Sequence, residues 1–252
     1  MTSITLSTIH RADGSATFTG NGYAVIATVN GPIDVQRRDE LPEEAAIDVT
    51  VRPAGGVGGV RERHLESIVQ KTLRHVVLVS AHPRTLIQVT LQIVASQEDH
   101  LNYGSLPQTS PYIPILPALL QASILALLSA SIPLLMTLTS TLIAVKESGG
   151  LAPCPSAQDL RAATSIHALA FSSYGDLLVV ESEGHFTSEK WEEVCTRAWS
   201  ICHGEEEEES GSDDVSMGSQ GGARLENVLR DAVRQKVVNE DKWKQSPLIT
   251  AT

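Results

Sequence analysis

From Leu101 to Val145 the chain runs for 45 residues without one Asp, Glu, Lys or Arg. So long an uncharged tract has two physical destinations, a bilayer or the centre of a core. A spanning helix needs about 20 consecutive apolar residues. Here Pro114, Pro117 and Pro133 interrupt the run, and Gln121, Ser123, Ser129, Ser131, Thr137, Thr139, Ser140 and Thr141 are scattered through it. No cluster of Lys or Arg and no belt of Trp and Tyr brackets it, as an inserted segment would show. The tract also divides at Ile132-Pro133: ALLQASILALLSA is built from helix formers, whereas LLMTLTSTLIAV alternates Leu134, Met136 and Leu138 with threonines, the period of a strand. The sequence therefore predicts a buried helix feeding a strand, and no membrane partner.

A chain of 252 residues with 42% hydrophobic content can bury a large core. Its formal charge is −11. Glu205 to Glu209 with Asp213 and Asp214 supply seven of those negatives, so the remainder is only mildly acidic. Binding of nucleic acid by bulk positive charge is excluded, while a local basic groove stays open. Cys154, Cys195 and Cys202 form no C-x-x-C pair, which argues against a zinc site or a disulfide framework and leaves core packing as their expected role. MTSITLSTIHR has neither the basic start nor the apolar run of a signal peptide, so a reducing intracellular compartment is expected.

Segments 3–9, 15–19 and 23–30 read as three short strands joined by R-A-D-G and G-N-G turns, an antiparallel meander. A strand AIDVTVRP follows and enters the loop AGGVGG. Beyond it, RERHLESIVQKTLRHVV places Leu65, Ile68, Val69, Leu73, Val76 and Val77 on one helical face. No G-K-[ST] follows the glycines and no dinucleotide spacing appears, so the loop reads as a flexible connection. Next come a strand in RTLIQVTLQIVAS, the uncharged tract, strands near 164–172 and 176–182, and a helix from about Ser188. EEEEESGSDDVSMGSQGG is too polar and glycine-rich to fold, and predicts a disordered insertion before the helix ARLENVLRDAVRQKVV.

The run from Arg11 to Ile33, H-P-R-T at His82 to Thr85, A-L-L-Q-A-S-I-L-A-L-L-S-A-S-I-P and G-D-L-L-V-V-E-S-E-G-H-F, in that order, resemble the RNase PH family over roughly residues 3–204. The early D-G-S-A strand makes the chain most similar to ring subunits of the eukaryotic RNA exosome. The resemblance implies an α/β fold of the α+β type, RNase PH-like, with paired β-α units whose helices pack on mixed sheets. It implies a domain at 1–204, an acidic insertion at 205–222, and at 223–252 the last helix of the same domain with its tail. Implied partners are other RNase PH-like exosome ring subunits, exosome cap subunits with RNA-binding domains, and RNA; the implied location is the nucleus, including the nucleolus, and the cytoplasm.

Active relatives trim RNA from its 3′ end by phosphorolysis, which crowds phosphate against phosphodiester and needs arginines and a metal to neutralise them. The family's G-[ST]-R phosphate loop is replaced here by Q-T-S-P-Y-I-P, and no arginine occurs between Arg84 and Arg161. In the family's metal pattern D-x-x-x-x-x-D, Asp159 takes the first place and Ser165 the second. A single carboxylate is little to hold Mg²⁺, and Asp159 reads as the N-cap of a helix in LRAAT. The expectation is therefore a chain without catalytic residues, metal ligands or cofactor. Arg52, Arg61 and Arg63 are the candidate RNA contacts, Arg61 and Arg63 matching positions where active relatives place RNA-binding arginines. His82 is expected to be a packed or turn residue rather than a catalyst, and Arg84 to hold neighbouring backbone or acids.

Overall fold

The computed structural model describes residues 2–38, 40–96, 112–204 and 225–242. The expected acidic insertion at 205–222, most of the loop before the core helix and the last ten residues lie outside this description. A first sheet contains β1 (Ser3–Leu6), β2 (Gly14–Gly20), β3 (Tyr23–Asp34), β4 (Ala46–Arg52) and β5 (Thr85–Ala95) in the order β1-β2-β3-β5-β4. All its pairs are antiparallel except β4 with β5. The crossover that makes β4 parallel to β5 is helix α1 (Val60–Val76), as a parallel pair requires. A second, antiparallel sheet orders β6 (Leu138–Lys146), β7 (Leu151–Pro153), β8 (Ala163–Ser172) and β9 (Leu177–Gly184) as β7-β6-β8-β9.

Helix α2 (Leu116–Ser129) lies between the sheets, packed on β2 and β3 on one side and on β6 on the other. Thirteen of its fourteen residues are buried. This is where the uncharged tract goes: a helix sandwiched by two sheets has no solvent face on which a charge could stay hydrated. Its polar residues are spent internally. The Gln121 amide donates to the Ser140 carbonyl at 2.6 Å, the Ser140 hydroxyl to the Pro117 carbonyl at 3.0 Å, and the Ser123 hydroxyl to the Leu119 carbonyl at 2.7 Å. No helix among the described residues is long and apolar enough to cross a membrane.

Gly14 shows why the D-G-S-A turn is built as it is. A Cβ there would lie 2.4 Å from the Ala130 nitrogen and 2.5 Å from the Ala126 carbonyl oxygen. The end of α2 thus rests directly on the β2 backbone.

Three expectations need correction. The strand after Pro133 begins at Leu138, not Leu134; Leu134 makes one bridge to Val77, and the Leu135 N–H donates to the Val76 carbonyl, tying this segment to the end of α1. Both faces of this strand are dry, Thr139 and Thr141 being 5% and 4% exposed. Helix α4 (Ser188–His203) covers that side, burying Ile143, Val145, Leu169 and Phe171 against Val194, Ala198 and Cys202. Cys202 is buried in a core and Cys195 packs against it as expected, whereas Cys154 is exposed just after β7. The helix expected to be capped by Asp159 starts earlier, as α3 (Ala157–Arg161), with Ser156 as its N-cap and Asp159 in its first turn; the short β7 is an addition to the sequence reading. Helix α5 (Leu225–Glu240) packs on β1, α2 and α4.

Candidate nucleic-acid interface

The three candidate arginines come from one β-loop-α unit. Arg52 ends β4, the glycine loop turns the chain, and Arg61 and Arg63 lie in the first turn of α1, which packs back on β4. All three therefore stand at the same end of this unit, with Arg52 and Arg63 exposed and Arg61 half-buried. A helix N-terminus attracts anions, but here the chain supplies its own. The Gly59 N–H donates to the Glu62 carboxylate at 2.6 Å. The glycine loop is thus a strand-to-helix connection with an internally satisfied helix start.

Beside the arginines stands an aromatic pair. The exposed His64 ring meets Tyr112 edge-on with centroids 4.7 Å apart. The Tyr112 hydroxyl donates to Glu181 at 3.2 Å, and burial together with this carboxylate pushes the phenol above its usual range. Sequence reasoning missed this pair because Tyr112 reaches α1 only through the fold.

The Asp159 end is arranged differently. Asp159 sits in the first turn of α3, where its carboxylate accepts from the Ser156 hydroxyl at 2.8 Å and the Ser156 N–H at 3.1 Å and pairs with the Lys146 ammonium at 2.9 Å. The bonds from Lys146 and Ser156 lower its pKa to about 2. Six residues on, Ser165 lies in β8 with its hydroxyl 2.9 Å from His167 Nε2, while His167 Nδ1 is 2.8 Å from the Ser182 hydroxyl of β9. Ser165 and His167 are 1% and 0% exposed. Phe186 and Trp191 close over the imidazole, and desolvation lowers its pKa.

His82 and Arg84 form a turn. The Thr85 hydroxyl donates to the His82 carbonyl at 2.7 Å, and the Arg84 guanidinium faces Glu40 at 3.5 Å. Both residues meet their sequence expectation.

Residues 1–133 match the sequence profile of the RNase PH family, described as 3′ exoribonuclease family, domain 1. The chain belongs to the RNase PH family. It is 34% identical to the exosome complex component RRP46 of Saccharomyces cerevisiae over 189 residues, 72% of this chain and 81% of that protein. Over 126 residues, half of each chain, it is 36% identical to the Schizosaccharomyces pombe protein of the same name. The crystal structure of rice Rrp46 superposes with a TM-score of 0.66 at 28% identity, covering 78% of this chain and 86% of that one. An Archaeoglobus fulgidus exosome chain, from a structure with RNA bound to the active site, gives 0.64 at 14% identity and covers 81% and 85%; with it the fold alone is shared.

Within this RNase PH chain, the residues at the two metal-pattern positions do not suit a divalent cation. One is a carboxylate already neutralised by Lys146; the other is a neutral hydroxyl buried against an imidazole. Mg²⁺ takes hard, charged oxygen donors with room for several waters. No cluster of three His, Cys, Asp or Glu suited to a metal occurs among the described residues.

Proposed function

We propose that this chain is a non-catalytic ring subunit of the RNA exosome, of the kind called exosome component five in mammals. It supports 3′-5′ processing and degradation of RNA, ribosomal RNA maturation included, by helping to thread RNA toward a nuclease carried by another subunit. Its partners are other RNase PH-like ring subunits, cap subunits with RNA-binding domains, and RNA; it works in the nucleus, including the nucleolus, and in the cytoplasm. The acidic segment 205–222 is read as an insertion into the one domain, dispensable for assembly. The observation that carries the absence of catalysis is the fate of the family's metal pair: Asp159 is ion-paired to Lys146, and Ser165 is locked to His167. Arg52, Arg61 and Arg63 are proposed as the RNA contacts that remain.

The alternative is an active phosphorolytic exoribonuclease. It draws support from the relatives in rice and Arabidopsis thaliana, which bear the name exosome complex exonuclease RRP46 homolog and are 36% and 27% identical. One preparation decides between them. Co-expression with a second RNase PH-like subunit is expected to give a stoichiometric complex by sedimentation, and the chain with Mg²⁺, phosphate and single-stranded RNA is expected to release no nucleoside diphosphate. Diphosphate release abolished by Asp159→Ala would establish the enzyme instead.

A further inference from the structure

On a helix of 3.6 residues per turn, Val60, Arg63, Ser67, Gln70, Lys71 and Arg74 fall within one third of the α1 circumference. This face lies opposite the buried residues Leu65, Val69, Leu73 and Val76. It carries no acid. The two carboxylates of α1 are turned toward the preceding loop and strand: Glu62 holds the Gly59 N–H, and Glu66 accepts from the outward-facing Val51 N–H of β4 at 2.8 Å. Arg63 and Lys71 are exposed and enter no ion pair among the described residues, whereas Arg74 is bound to Glu44 at 3.0 Å.

We propose that this outward face of α1 binds the phosphate backbone of single-stranded RNA, with Lys71 as a contact two turns beyond the arginines. The proposal rests on the reading above only in taking RNA to pass this chain. Arg63 and Lys71 are about 12 Å apart along the axis at 1.5 Å per residue. The net charge of −11 does not cancel such a track. Exposed charges further away than about 8–10 Å are screened at physiological salt, and the two carboxylates of the helix point away from this face, toward Gly59 and Val51. At one end the track meets the His64 and Tyr112 rings, and cations next to aromatic faces are the pairing that single-stranded nucleic acid uses, phosphate on the charges and base on the ring. An acidic polypeptide would use the charges but not the rings. Glu181 beyond Tyr112 and Glu44 at Arg74 mark the two limits of the cationic surface.

The test is a salt titration of a fluorescein-labelled 12-nucleotide single-stranded RNA, on the co-expressed complex and on the full chain by itself. Lys71→Ala is expected to weaken binding about threefold to tenfold and to lower the slope of log K against log salt by about 0.7, the share of one phosphate contact. Lys71→Arg restores both. Unchanged affinity and slope in Lys71→Glu overturn the proposal. So does a Lys71→Glu variant that keeps RNA affinity but loses a labelled peptide of residues 205–214, which would assign the face to acidic protein. Failure of the complex to form strikes the ring-subunit reading, while the titration of the full chain still decides the role of Lys71.

Discussion

The arginine end of the molecule and the Asp159 end use their polar groups in opposite ways. At the first, acids are drawn inward to cap backbone N–H groups, and Arg52, Arg63 and Lys71 are left facing water. At the second, every polar side chain described above has an intramolecular partner: Lys146 and Ser156 take Asp159, and His167 joins Ser165 to Ser182. A group already satisfied inside the protein must give up that partner before it can serve a ligand, whereas an exposed cation gives up only water and counterions. The fold therefore leaves cations facing water at one end and pairs its polar groups within the protein at the other.

The strongest attempt to break this contrast is Ser165→Asp, which restores the family's second carboxylate. At a position 1% exposed and pressed against a neutral imidazole, the new charge meets a desolvation penalty that one hydrogen bond offsets only in part. The expected cost is about 3 kcal/mol, a fall in Tm of roughly 6–12 °C for a domain of this size. No nucleoside diphosphate is expected from RNA and phosphate. A variant that melts like the parent and turns over RNA would show that the site was one substitution away from catalysis.

Next in size is His167→Phe. An aromatic ring is kept, somewhat larger than the imidazole, but the Ser165 and Ser182 hydroxyls lose their partner, at about 1–3 kcal/mol. The variant also isolates a pH effect. The folded pKa of His167 lies below its unfolded value, so the unfolded chain takes up the proton first. Stability is full above the unfolded value of about 6.5 and is lost as pH falls through the folded one. Urea unfolding at pH 7.5 and 5.5 is expected to show a loss at the lower pH that is smaller in His167→Phe. An equal loss in both proteins would mean the imidazole is not the buried, neutral hinge of this region.

What the sequence disclosed about these two ends follows from range. The helical position of Arg61 and Arg63 is local, and periodicity reads local features well; the Asp159 to Ser165 spacing is equally local, though only the family resemblance singles it out. Lys71 was open to the same reasoning, since eight residues from Arg63 it returns to the same helix face. The Ser165–His167–Ser182 chain was not, because it depends on the register that sets His167 opposite Ser182, with a bulge between Ala170 and Phe171 shifting the count. The burial of Thr139 and Thr141 escaped for a related reason: alternation says that a strand has two faces, and only the docking of α4 says that both are dry. Strand β7, three residues long and ending in Pro153, carries too little pattern to be seen before its partner β6 is placed.

A smaller effect sharpens the arginine side. Arg63→Ala is expected to weaken single-stranded RNA binding about threefold to tenfold with little change in Tm, because the side chain is exposed and unpaired among the described residues. Arg61→Ala should differ from it, since Arg61 is half-buried and has a partner within the chain. Part of its effect is expected in stability, as protein contacts are lost together with any contact to RNA. Identical behaviour of the two variants in both binding and melting would erase the distinction between water-facing and inward-held charge on which the contrast depends.

The smallest expected effect belongs to Asp159 itself. Its ion pair with Lys146 is partly solvated, the two side chains being 31% and 45% exposed, so Asp159→Ala should lower Tm less than either change in β8. The acid titration is more telling than the melting point. Bonds from Lys146 and Ser156 hold the folded pKa near 2 against an ordinary 3.8. The stabilisation is present above the ordinary value and disappears as pH falls through the folded one, so the gap between wild type and Asp159→Ala should narrow between pH 4 and pH 2. Carbon-detected NMR titration of the side chain reads the pKa directly, and Lys146→Ala should raise it while leaving RNA binding unchanged. A wild-type Asp159 that titrates at its ordinary value, indifferent to Lys146 and shifted by millimolar Mg²⁺, would be a free carboxylate, and the two ends of the molecule would then differ in exposure alone.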